Sequence, residues 1–233
     1  MTFLQHFAEL RRRVIWCLVW FVVMFGTGWF LAPWIQAFLS RPLLDVWQNG
    51  KMLYTGVTDG IYIQFSLSTL FAIFAATPFV LWQIWAFIAP GLHQPEKKLA
   101  APILILSPVL FLMGASFAYW FMFPVVFKFF VQINQTSPVP AVFMPVMGNY
   151  LDFVINLLKI FGLAFQLPLV LVILNRIGIL SRGAAIKMRR YMIVAVFIVA
   201  AILTPPDVFS QTMFALPLWG LFELSILFMR KDK

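Results

Sequence analysis

Val14-Ile15-Trp16-Cys17-Leu18-Val19-Trp20-Phe21-Val22-Val23-Met24-Phe25-Gly26-Thr27-Gly28-Trp29-Phe30-Leu31 holds no charged side chain from end to end. About 20 apolar residues wound as a helix cross the roughly 30 Å of hydrocarbon in a bilayer, so this stretch predicts a membrane span. Five more runs of this kind, each bounded by charge or turn residues, follow at about Tyr62–Ile88, Leu99–Phe123, Phe153–Leu174, Tyr191–Leu203 and Phe209–Phe228. The reading is therefore an all-α integral membrane protein of six spans, forming one membrane domain over residues 1–233. Composition agrees, since 63% of the 233 residues are hydrophobic, 11% are charged and the mean hydropathy is +0.94. An ordinary soluble domain is excluded.

The net charge of +9 suits nucleic acid in principle, but no basic stripe is interleaved with exposed polar sequence. The cations instead cluster between apolar runs, as they do when they orient helices in a membrane. With six spans, Arg11, Arg12, Arg13, Lys97, Lys98, Arg176, Arg182, Lys187, Arg189, Arg190, Arg230, Lys231 and Lys233 share the face of the two termini. Only Arg41, Lys51 and Lys128 lie opposite, and Lys159 falls inside the fourth span. This bias makes both termini cytoplasmic. It also puts the connection 32–61, and the one through Asn134, Ser137, Pro138 and Pro140, on the external face. No cleavable leader is evident, and the first run reads as a retained span.

The fifth run is short: its residues, at about 1.5 Å each, cover roughly 20 Å. Either the bilayer thins locally or this helix sits behind its neighbours. Pro78, Pro102, Pro108, Pro168 and Pro217 lie within apolar runs and predict bent helices, hence a curved, concave bundle. No internal repeat appears.

Catalytic motifs are absent: there is no G-x-S-x-G, no H-E-x-x-H and no Cys/His cluster, so neither metal nor cofactor is implied. His6 and His93 read as interfacial, and Cys17 as a small buried residue. Polar groups at membrane depth mark function by default. Here they are Asp152, Lys159, Gln166, Asp207, Gln211 and Glu223. Asp152 and Lys159 stand two turns apart on one helical face, where they can pair or Lys159 can snorkel outward. At the cytoplasmic face Glu9 and Glu96 lie among cations and either neutralise them or receive cations from a ligand. Carboxylates suit guanidinium, whose fork offers two parallel donors.

Four segments resemble one family. His6-Phe7-Ala8-Glu9-Leu10-Arg11-Arg12-Arg13 resembles the H-L-x-E-L-R-x-R opening of TatC proteins, the multispanning subunit of the twin-arginine protein translocase. Gln83-Ile84-Trp85-Ala86-Phe87-Ile88-Ala89-Pro90-Gly91-Leu92 with Glu96-Lys97-Lys98 is similar to the family's second-span exit and first cytoplasmic loop. Phe161-Gly162-Leu163-Ala164-Phe165-Gln166-Leu167-Pro168 resembles its fourth span, and Leu203-Thr204-Pro205-Pro206-Asp207-Val208-Phe209-Ser210-Gln211 its last external turn.

The resemblance implies a receptor in the bacterial inner membrane for signal peptides carrying consecutive arginines. It also implies single-span TatA-type and TatB-type partners, self-association, and export of folded proteins driven by the proton motive force, without nucleic acid or enzymatic chemistry. On this reading Glu9, Leu10, Arg11, Phe87 and Glu96 form the signal-peptide surface, Pro42 belongs to an external cap, and the last two helices are short. Asp207 matches a functionally important family position, and Gln166, Asp207 and Gln211 are intramembrane polar groups or docking points for partners. Gln166 departs from the Glu that many members carry, so this position cannot change charge. The rival readings are a small-solute or ion transporter, against which no run is interrupted by a Gly/Pro pair near midplane, and a scaffold without a specific ligand.

Overall fold

The computed structural model describes residues 3–47, 50–88, 94–136, 144–204 and 207–230. Its elements are α1 (Phe3–Val46), α2 (Asp59–Ile88), α3 (Gln94–Phe117), a π-helical turn (Ala118–Met122), α4 (Phe123–Gln135) and α5 (Met147–Ala164). They continue with α6 (Leu167–Arg176), α7 (Arg182–Lys187), α8 (Arg189–Leu203) and α9 (Val208–Phe228). Among the described residues the one β feature is an isolated parallel bridge, Leu53 to Val146. Among the described residues, five helical stretches are long and apolar enough to span a membrane: Phe7–Val46, Asp59–Phe87, Ile105–Asn134, Met147–Arg176 and Val208–Phe228. The remaining expected span, the fifth, is α8, whose 15 residues reach about 22 Å. The shortness expected of the fifth span is thus real, and α9, at 21 residues, is the shortest of the other five.

Three boundaries correct the sequence reading. The first helix does not stop near Leu31 but runs to Val46, with Pro33 and Pro42 inside it. A proline removes its own N–H and so frees the carbonyl four residues back. The carbonyl that Pro33 frees, on Trp29, accepts instead from Gln64 Nε2 of α2 at 3.0 Å. The third span continues past Phe123 through α4 to Gln135, with the π turn absorbing one change of register. The fourth span is one stretch, Met147–Arg176, but it carries a turn at Phe165-Gln166: α5 ends at Ala164 and α6 begins at Leu167, with Pro168 in its first turn. Cys17, expected buried, is partly exposed. The connection 137–143, His93 and the Pro205-Pro206 pair lie outside the described residues.

Two compact units are present, Met1–Pro108 with Phe123–Ile155, and Val109–Met122 with Asn156–Lys233. In the first, α1 and α2 run antiparallel. The pairs Trp20 with Phe79 (ring centroids 5.5 Å apart) and Phe25 with Phe65 (5.1 Å) set the register. Gly28 makes the close approach possible, because a Cβ there would meet the Ser68 carbonyl oxygen at 2.9 Å. At the far end of α1, buried Tyr150 of α5 donates its hydroxyl to the Leu39 carbonyl at 2.7 Å and packs at a tilt on Phe127 of α4, ring centroids 5.3 Å apart. The segment after α1 is tied to the start of α5 by Leu53, which donates to Pro145 O (3.0 Å) and accepts from Met147 N (2.9 Å).

The second unit packs on aromatic rings and small residues. Phe117 lies 5.8 Å from Phe161, which lies 6.0 Å from Phe214, all centroid to centroid. Gly114 of α3 and Gly162 of α5 face the opposite helix: a Cβ on Gly114 would strike the Phe161 carbonyl, and one on Gly162 would meet the Phe111 ring at 2.7 Å. Small residues let helix backbones close up in lipid, where no hydrophobic force drives them together. Buried Ala185, Phe222, Ile226 and Met229 form a core cluster that joins α7 to α9. Gly178 at φ 79 ends α6 in the left-handed conformation, and Ile179 and Leu180 return N–H bonds to Leu174 O.

Candidate functional site

The first two turns of α1 carry Glu9, Leu10 and Arg11, and the antiparallel pairing brings them to the end of α2. There Arg13 makes a four-contact staple. Its Nη2 and Nε both donate to Glu9 Oε1, at 2.6 and 3.0 Å, its Nη1 donates to Gln83 Oε1 at 2.8 Å, and Nη2 also reaches Ala86 O at 3.4 Å. Glu9 and Arg13 are one helical turn apart, so the pair costs little ordering of the backbone. Their side chains are 25% and 24% exposed, which keeps the pair partly shielded from water.

Glu9, Arg12, Arg13, Trp16 and Gln83 line an open cavity of about 280 Å³. Glu9 Oε1 is occupied by Arg13, while no hydrogen bond reaches Oε2 among the described residues. The geometry therefore holds a guanidinium already seated on Glu9 and leaves the second carboxylate oxygen for another donor. Leu10 and Arg11 are exposed on the same turns, and Phe87 is half-buried one residue beyond Ala86. Glu96 falls in the first turn of α3, but its side chain lies outside the described residues. The sequence left open whether Glu9 neutralises its neighbours or receives cations from a ligand, and Arg13 does neutralise it; Arg12, Arg13, Trp16 and Gln83 were not selected as site residues, and Gln83 reaches the cavity only through the tertiary pairing of α1 with α2.

The other expected positions separate. Gln166 stands half-buried at the break between α5 and α6, where it is the N-cap residue of α6 but gives it no side-chain bond. Asp207 caps α9, its Oδ1 accepting from Ser210 N at 2.7 Å. Gln211, one turn on, donates Nε2 to the Phe197 carbonyl of α8 at 3.2 Å and so ties α8 to α9. Pro42 is buried within the last turns of α1 rather than in a loop. Asp152 accepts from the Tyr62 hydroxyl, at 3.1 and 3.2 Å, and Glu223 pairs with Arg189 at 2.7 Å. No group of three or more His, Cys, Asp or Glu able to hold a metal occurs among the described residues.

Comparison with known proteins converges. The family model for TatC, the Sec-independent protein translocase protein, matches residues 5–217. A Sec-independent protein translocase protein TatC of Azotobacter chroococcum is 39% identical over 229 residues, covering 98% of this chain and 89% of its own. Its counterpart in Escherichia coli K12 is 36% identical, with 97% and 87% covered. Two crystal structures of a twin-arginine translocase receptor, TatC, one of them in the detergent DDM, superpose with TM-scores of 0.86 and 0.88. Each is 32% identical, and they cover 96% and 97% of this chain and 97% and 99% of theirs.

Proposed function

The chain belongs to the TatC family of Sec-independent protein translocases, and from that membership we propose that it is the signal-peptide receptor and core subunit of a twin-arginine translocase. It binds and organises, and does no covalent chemistry. The observation that carries the reading is the Glu9 carboxylate, which lines an open cavity with one oxygen on Arg13 and the other without a partner among the described residues. A second guanidinium, supplied by a consecutive-arginine peptide, fits that free oxygen, and Arg binds carboxylate through a planar fork that Lys lacks. Glu96 takes the other arginine, and Leu10, Arg11 and Phe87 contribute the surrounding surface.

In this reading the whole chain acts as one membrane domain of the bacterial inner membrane, with both termini cytoplasmic, as the distribution of Lys and Arg supports. Folded precursors pass with the help of single-span TatA-type and TatB-type subunits and self-association, driven by the proton motive force. Gln166, Asp207 and Gln211 are the polar groups that such single-span helices meet, and Pro42 stiffens the external cap. Replacing Gln166 with Leu should lower recovery of partner subunits on purification.

The test is binding of a twin-arginine signal peptide to the membrane-embedded protein, against a twin-lysine control, in the wild type and in a Glu9→Gln, Glu96→Gln double variant. Tighter arginine binding that the double variant erases supports the receptor and its two carboxylates. Equal binding of both peptides, unchanged in the variant, overturns the assignment.

A further inference from the structure

The span Met147–Arg176 is long and apolar enough to cross a membrane, yet its outward face is polar at two neighbouring positions. Asn156 is exposed, Lys159 is half-exposed, and Leu163, next on that face, is 64% exposed. Positions three and seven apart lie on one side of a helix, so these residues form a single stripe. Neither Asn156 nor Lys159 has a hydrogen-bond or ion-pair partner among the described residues. Asp152, the nearest carboxylate in the sequence, is held by Tyr62.

Depth makes this costly. Lys159 is seven residues along α5 from Asp152, about 10 Å further into the bilayer if Asp152 and Tyr62 mark the interface. An ammonium there is relieved either by snorkelling toward the interface or by an opposite charge brought to it, and the second is the stronger stabilisation at this depth. Beside it runs an apolar groove of about 300 Å³ between α5 and α8, lined by Ile160, Leu163 and Ala164 on one side and Met192, Ala195 and Val199 on the other. Alanines on both walls allow a helix to approach closely.

We propose that Asn156 and Lys159 form a two-donor seat for a carboxylate carried within the bilayer by a second, single-span helix that packs into this groove. The amide and the ammonium, one turn apart, match the two oxygens of one carboxylate, which accepts from both. The seat gives the docking of single-span helices a chemical requirement, an acidic residue at the level of Lys159, and it rests on the reading of this chain as a translocase subunit. It also differs from Gln166, whose neutral amide selects no charge.

The experiment reconstitutes the full chain in phosphatidylcholine vesicles and titrates a synthetic Leu/Ala transmembrane helix bearing one central Glu, or Gln in its place, with an acceptor dye that quenches the chain's tryptophans. The Glu helix is expected to bind about tenfold more tightly than the Gln helix, a preference that Lys159→Met removes and Lys159→Arg keeps. An absent preference, or one that survives Lys159→Met, overturns the proposal. So does its disappearance when anionic phosphatidylglycerol is added, which would make lipid phosphate the partner of Lys159. Twin-arginine peptide binding in the same vesicles separates the failures: binding retained without a Glu preference sinks only the seat, whereas loss of both sinks the receptor reading as well.

Discussion

The Arg13 guanidinium spends two donors on a single oxygen of Glu9, at 2.6 and 3.0 Å, and a third on Gln83 at 2.8 Å. Arg13 thus fixes which way the Glu9 carboxylate faces, and Gln83 fixes Arg13. Gln83→Leu removes that anchor without changing any charge. One hydrogen bond to a charged group is worth about 1.5 kcal/mol, so twin-arginine peptide affinity should fall by roughly tenfold. The salt dependence of binding should keep its slope, because the number of ion pairs is unaltered. Titration at several ionic strengths checks both; a changed slope with unchanged affinity would show that Gln83 positions nothing.

Gly114 and Gly162 close α3 against α5 by omission of a side chain. Gly162→Val should therefore force the Phe111 ring aside and destabilise the protein by about 1–3 kcal/mol, the range for overpacked cores. Gly148, at the start of α5, has open space around the position of a Cβ, so Gly148→Ala should be neutral or slightly stabilising. Thermal unfolding in detergent compares the two; equal melting temperatures would refute the close-packing account.

The spans and their order were legible because hydrocarbon imposes a length and an apolar composition that no other solvent requires. Their ends were harder to read. Pro33 and Gln36 look like loop residues by propensity, yet α1 continues through them, since Gln64 supplies the donor that Pro33 denies to Trp29. The break at Phe165 and Gln166 was hidden for the opposite reason: the residues there are apolar or amide and resemble the rest of the run, and Pro168 alone does not say whether a helix bends or stops. At the candidate site Glu9 stood out in a local segment as a carboxylate among cations. Gln83 joins it only through the register of α1 on α2, which depends on contacts such as Trp20 with Phe79 that no local pattern reveals.

The Gln64 bond to Trp29 is a replacement for a backbone bond, and that makes it testable as a cycle. Gln64→Leu leaves the Trp29 carbonyl without its donor inside the bilayer and should cost about 1–2 kcal/mol. Pro33→Ala restores an N–H for that carbonyl, so the double variant should lose less than Gln64→Leu alone. Unfolding free energies of the four proteins give the coupling; additive effects would mean that Gln64 acts on something other than the freed carbonyl.

Asp207 has two possible uses, a cap and a charge, and they can be separated. Its Oδ1 accepts from Ser210 N at 2.7 Å, satisfying a donor at the start of α9 that the helix itself leaves free. Asp207→Ala removes this acceptor and should destabilise by about 1 kcal/mol, whereas Asp207→Asn keeps an oxygen in the same place and should recover most of that. The bond also sets the entry of α9, and with it Gln211, which holds the Phe197 carbonyl of α8 at 3.2 Å. If the cap is what matters, Asp207→Asn exports a twin-arginine reporter nearly as well as wild type and Asp207→Ala does not. An export defect in Asp207→Asn at wild-type stability would instead assign the function to the negative charge, facing either the precursor or a partner helix.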